Sequence, residues 1–95
     1  MAGRVILSAK AYADIDRIVE FNNNRNKSDI YSKKFIKSLY QQLKILENHK
    51  TVGIKIVEEN IYVFIWDQYY IFYNLTGHDN VEISSIYHQK ENVSR

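Results

Sequence analysis

The chain has 95 residues, 45% of them apolar and 25% charged, with a formal net charge of +2 and neither cysteine nor proline. That is enough chain for one domain with a modest core, and the composition is that of a globular chain, not a disordered one. Without cysteine there is no disulfide framework and no thiolate metal site, and no apolar run approaches the ~18 residues of a membrane-spanning helix.

The first element is Arg4-Val5-Ile6-Leu7, a short β-branched run that reads as a strand. It carries one basic residue and is too short for the roughly 7–15-residue apolar core of a secretory leader, so the expectation is a cytoplasmic protein. Ser8 is placed to cap a helix, its hydroxyl accepting from a free amide of the first turn. Ala11, Ile15, Ile18 and Val19 then recur at spacings of three and four, which is one helix face. Asp14, Asp16, Arg17 and Glu20 are expected largely on the other, solvated side. Asn22-Asn23-Asn24-Arg25-Asn26 is expected to end the helix, because Asn tolerates left-handed backbone and competes for backbone hydrogen bonds.

Ser28 is the expected cap of a second helix, with an inner stripe of Tyr31, Phe35, Leu39, Leu43 and Leu46 widened by Ile36 and Tyr40. Lys33, Lys34, Lys37 and Lys44 lie outside that stripe, either as a solvated face or as a patch that steers an anionic partner. A short polar turn between two such helices makes an antiparallel hairpin. Past Gly53 the period changes. Ile54 to Val57 reads as a short strand, and Ile61 to Trp66 as a strand covered on both faces. Asp67-Gln68 reads as a tight turn, Tyr69 to Leu75 as a strand, Thr76 to Asn80 as a turn, and Val81 to His88 as the last strand. The order is β-α-α-β-β-β, an α+β fold with a helical hairpin packed on a small antiparallel sheet. Residues 4–90 form the single domain and residues 91–95 a polar C-terminal tail.

Three stretches together resemble a known family. "VILSAKAYADIDRIVEF" (Val5–Phe21) is similar to the opening of the RelE/ParE superfamily of bacterial toxins, where a strand runs into a helix with an Ala-rich start followed by Asp-φ-x-x-Ile, φ being an apolar residue. "FIKSLYQQLKIL" (Phe35–Leu46) resembles their second helix. "YYIFYNLTGHDNVEISSIYH" (Tyr69–His88) resembles their closing hairpin, with a Gly/Asp turn, Val-Glu-Ile and a final φ-φ-His. The resemblance spans about residues 4–90, and it is carried by the ordered combination of motifs, none of them specific alone. It implies the toxin of a type II toxin–antitoxin module, neutralised by a cognate antitoxin protein and needing no cofactor and no metal. It leaves two modes of action. RelE-like members are ribosome-dependent mRNA endonucleases, whereas ParE-like members inhibit DNA gyrase.

Chemistry separates the two modes. Cutting RNA without a metal needs a base for the 2′-hydroxyl, a cation for the phosphate and an acid for the leaving oxygen. The RelE-like branch draws Arg and Lys from its middle strands, with a Tyr or His near the C-terminus. Here Tyr62 and Val63 stand where an Arg is common, Gln68 stands where a basic residue is common, and Glu58 to Gln89 contains neither Lys nor Arg. This favours a ParE-like inhibitor. If the chain is nevertheless a nuclease, the candidate residues are His88, with Tyr87 and Lys90 as helpers. An imidazole titrates near neutrality and suits proton transfer, but a strand-terminal His also serves as a plain backbone cap. Tyr87 and His88 alternate along the strand and so point to opposite faces. A cluster of Lys50, Lys55 or Lys90 around His88 would reverse the preference for an inhibitor.

Eight tyrosines and a single tryptophan are present, residue types with a large apolar body and one polar tip that suit interfaces. Tyr62, Trp66 and Tyr70 are candidates for an exposed face covered by the antitoxin, whereas Phe72 and Tyr73 are expected in or near the core. A metal site from Asp14, Asp16 and Glu20 lacks a His to complete it, and a solvated face is the expectation.

Overall fold

The computed structural model describes residues 4–49, 52–56, 61–77 and 80–90, so the proposed tail 91–95 lies outside the described residues. Strand β1 (Val5–Leu7) leads into helix α1 (Ala9–Asn26) and helix α2 (Ile30–Asn48). Strands β2 (Ile54–Ile56), β3 (Ile61–Trp66), β4 (Tyr69–Thr76) and β5 (Asn80–His88) follow. The expected α+β order is therefore present. The sheet has five strands in the order β1-β5-β4-β3-β2. Strands β2 to β5 form an antiparallel meander, and β1 adds to β5 in parallel, pairing Val5 with Val81 and Leu7 with Ile83. The sheet is thus mixed, because a chain entering through a helical hairpin returns to the far edge with β5 running alongside β1.

Helix α1 begins as the sequence indicates, with Ser8 Oγ accepting from the Ala11 amide at 3.0 Å. It does not end at Asn22. It continues through Asn26 and stops at Lys27, whose φ of 55° places it in the left-handed region. Asn22 is consequently a buried helical residue and donates from Nδ2 to the Tyr69 hydroxyl at 3.1 Å. At the second helix Ser28 Oγ accepts from the Ile30 amide, while the residue flanking the helix is Asp29, which makes no side-chain cap. The inner face of α2 also differs from the expected stripe. Tyr31 and Tyr40 are exposed, and Ser32 is buried, donating to the Val19 carbonyl of α1 at 3.1 Å. A small hydroxyl residue there lets the two helices approach and satisfies its own polar atom.

Both helices cover one face of the sheet. The core comprises Ala11 and Ile18 from α1, Phe35, Leu39, Leu43 and Leu46 from α2, and Tyr69, Ile71, Tyr73, Val81, Ile83 and Ile86 from β4 and β5. The other face carries Val63, Ile65, Tyr70, Phe72 and Tyr87, with Ile54 at 63% and Ile65 at 54% exposure. No described element packs over it, so β3 is covered on one face only, contrary to the reading from its uninterrupted apolar run. Phe72 belongs to this outer face, while Tyr73 is fully buried as expected.

A β-bulge sets the faces of the last strand. Phe72 pairs with Ser85 and Tyr73 with Ile83, which leaves Ser84 as the extra residue. A bulge of one residue reverses the parity of every side chain beyond it. Val81 and Ile83 face the core before it, and Ile86 and His88 face the core after it. The spacing of three between Ile83 and Ile86 is the sequence mark of that shift.

Candidate functional site

The bulge determines where the end of β5 directs its side chains. His88 faces inward and is 4% exposed. Its ring meets Phe21 of α1 with centroids 5.3 Å apart and the edge of Tyr69 at 5.0 Å. Its Nδ1 accepts the backbone N–H of Lys90 at 3.0 Å. Tyr87 faces the opposite way, against the edge of Phe72 at 5.9 Å. The two are therefore divided by the sheet. Lys90 reaches His88 through its backbone, and its side chain is exposed. Lys55 lies on β2, three strands from β5, with its Nζ 6.0 Å from the Tyr62 ring. Lys50 lies outside the described residues. The cluster of Lys50, Lys55 and Lys90 around His88 is therefore not found among the described residues.

The cations next to Tyr87 come from α1. Lys10 Nζ donates to the Tyr87 hydroxyl at 3.0 Å and sits 4.7 Å from its ring centroid, while the Arg17 guanidinium lies 5.2 Å from the same ring. Both are organised by Asp14, which is 2% exposed and not on a solvated face as its charge suggested. Asp14 accepts from Lys10 at 3.1 Å, from Arg17, and from the buried Ile86 amide at 3.0 Å. The cause lies in the sheet. Strand β1 ends at Leu7, which leaves β5 beyond Ile83 with a free edge, and α1 runs along that edge. Its side chains replace the missing strand. Ser8 Oγ donates to the Ser84 carbonyl at 3.1 Å, Asp14 accepts from the Ile86 amide, and Arg17 donates to the Ile86 carbonyl at 2.9 Å. Buried backbone groups require such partners. Partial burial opposes the Lys10 charge, but the hydrogen bonds to Tyr87 and Asp14 outweigh it and raise its pKa above the ordinary 10.5. Among the described residues no three His, Asp or Glu side chains are grouped to hold a metal.

The inward aromatic residues meet the turn end of the helical hairpin, where α1 closes and α2 begins. Trp66 stacks on Tyr69 at 4.8 Å and lies parallel to Phe35 at 5.8 Å. Together with His88 these rings line a cavity of about 430 Å³, and exposed Arg25 and Lys34 stand at its mouth. Tyr62 and Trp66 thus face the helices, whereas Tyr70, paired with Ile65, is on the outer face. The three residues expected to share one exposed face do not share one. Sequence reasoning missed the cavity because its walls come from α1, α2, the β3–β4 turn and β5. It missed the Asp14 hub although a signal existed: Asp14 stands three residues after Ala11 and four before Ile18, and on a helical wheel it falls between Ile18 and Phe21, at the border of the apolar stripe.

Comparison with known proteins agrees with this architecture. No individual curated protein matches the chain. The family described as ParE toxin of the type II toxin–antitoxin system parDE matches residues 5–93, from β1 to past the end of β5. A match over nearly the whole chain, on a strand–helical hairpin–meander fold, makes this protein a member of the ParE toxin family of type II toxin–antitoxin systems.

Proposed function

We propose that this toxin arrests growth in the cytoplasm by binding a target such as DNA gyrase, not by cutting RNA, and that a cognate antitoxin holds it inactive. The observation that carries this reading is the state of the His88 neighbourhood. The imidazole is enclosed by Phe21 and Tyr69, its Nδ1 is occupied by a backbone N–H, and strands β3 to β5 offer it no Lys or Arg. The strands beside that base thus supply no cation for an RNA phosphorane, and Arg25 and Lys34 come from the helices, at the mouth of the cavity that His88 lines. The outer face around Ile65 and Tyr70 supports a role as a protein-binding surface, being apolar and open.

A second reading is a ribosome-dependent mRNA endonuclease. It is favoured by Lys10 and Arg17, which bring positive charge to Tyr87 on the opposite side of β5 from His88. A purified translation reaction distinguishes the two, run with the wild type, His88→Phe and His88→Ala. His88→Phe keeps the ring packing and removes the titratable nitrogens. His88→Ala also opens a cavity costing about 2–4 kcal/mol, so its loss of activity alone proves nothing. The expected result is intact message with all three proteins, and inhibition of gyrase supercoiling by wild type and His88→Phe. Codon-positioned cuts made by the wild type and absent with folded His88→Phe would overturn the proposal. Folded protein that neither cuts message, nor inhibits gyrase, nor arrests growth would be a decayed toxin that only binds an antitoxin.

A further inference from the structure

The positive charge of the molecule is concentrated on one helix. Helix α2 carries Lys33, Lys34, Lys37 and Lys44 against a single acid, Glu47, a net +3 in a chain whose total is +2. Helix α1 is balanced, with Lys10, Arg17 and Arg25 against Asp14, Asp16 and Glu20. Lys33, Lys37, Tyr40 and Lys44 follow one another at spacings of four, three and four, so they form one row along α2, about 16 Å long. All four are exposed, Tyr40 to 62%. Lys33 is paired with Asp29 at 3.4 Å, but both side chains are more than half exposed, so the pair opens at little cost. Among the described residues Lys34, Lys37 and Lys44 make no ion pair.

We propose that this row is a contact for the backbone of duplex DNA. The match is one of charge. A duplex presents one phosphate per about 1.7 Å of its axis, so a straight row of cations meets several of them in any register. Tyr40 and Gln41, exposed on the same helix, can donate to phosphate oxygens. Contacts of this kind carry no sequence information, so the binding is indifferent to base sequence. The neighbouring helix decides the shape of the partner. Asp16 and Glu20 are exposed on α1, one turn apart, and set an acidic flank beside the basic one. A rod touches α2 alone and avoids them, whereas a flat anionic bilayer would cover both helices and be repelled by the acids. The exposed aliphatic residues of α2, Ile30 and Ile45, stand near its two ends and offer lipid no continuous apolar stripe. The contact needs neither gyrase nor an antitoxin, and it would bring the toxin to the DNA on which a target such as gyrase works.

The test titrates a fluorescently labelled duplex with the full chain at several salt concentrations and reads anisotropy. Phosphate contacts from Lys33, Lys37 and Lys44 predict that log K falls against log salt with a slope of about −2.7. Lys37→Gln/Lys44→Gln removes two of the contacts and should bring the slope to about −0.9, with an unchanged urea midpoint because both side chains are exposed. Asp16→Asn/Glu20→Gln removes the acidic flank and should tighten binding by about threefold or more, a gain that a loss of folding cannot mimic. A second duplex of unrelated sequence should bind equally well. No duplex binding at low salt, an unchanged slope in Lys37→Gln/Lys44→Gln, tighter binding to single-stranded RNA, or binding to phosphatidylglycerol vesicles in preference to the duplex would each overturn the proposal. Only purified toxin and nucleic acid or vesicles are present, so a failed gyrase assay leaves this outcome intact, and the reverse holds too.

Discussion

Replacing Asp14 tests the account of how α1 closes the free edge of β5. The carboxylate is buried and serves three donors: Lys10, Arg17 and the Ile86 amide. Asp14→Ala strands the buried Ile86 N–H, at a cost of about 1–3 kcal/mol. The two cations are a different matter. Their side chains are 56% and 38% exposed, so water can take over most of what the carboxylate provided. Each then contributes only about 0–1 kcal/mol, as exposed ion pairs do. The sum is about 3 kcal/mol, a large part of a total stability of about 5–15 kcal/mol. Asp14→Asn keeps an oxygen for Ile86 and loses only the charge, so about 1 kcal/mol is expected. Asp16→Ala, on the exposed side of the same helix, should change stability by no more than about 0.5 kcal/mol. Urea denaturation measures all three, and amide exchange at Ile86 locates the effect. If Asp14→Ala matched Asp16→Ala, or Ile86 kept its protection in Asp14→Ala, the helix would not be standing in for a strand.

Gly53→Ala is expected to destabilise by about 1–3 kcal/mol in the same assay, as overpacking does. A Cβ there would lie 2.8 Å from both the Tyr73 hydroxyl and the Val63 carbonyl oxygen, and it would disturb the 3.0 Å bond from the Gly53 amide to Tyr73. Stability should also fall on the alkaline side. Burial raises the Tyr73 pKa above 10.0, with the charge of Tyr62 adding and the Gly53 bond opposing, and the Lys10 pKa lies above 10.5. Folding favours the protonated form of each, so each contribution is complete below the unfolded value and is lost as pH rises through the folded one. Urea midpoints should hold steady up to the unfolded pKa values and decline above them, less steeply in Tyr73→Phe. An unchanged slope in that variant would refute the assignment to Tyr73.

The sequence alone determined the class of fold and the family. Apolar spacing of three and four followed by runs of strand-forming residues fixes the order of elements, because both periods are local properties of the chain. Ser8 as a cap and the turn at Asp67-Gln68 are local in the same way, and the family resemblance rests on that order. Tertiary structure decided the rest. Whether β1 lies parallel to β5 depends on where a chain returns after two helices. That Asp14 and Asn22 are buried depends on what α1 packs against, since a free strand edge demands an acceptor and Tyr69 offers a hydroxyl. Tyr87 and His88 part to opposite faces by simple alternation, but the extra residue at Ser84 chooses which of them turns inward. The same choice brings His88 to Trp66, Arg25 and Lys34, residues from four separate segments that no periodicity connects.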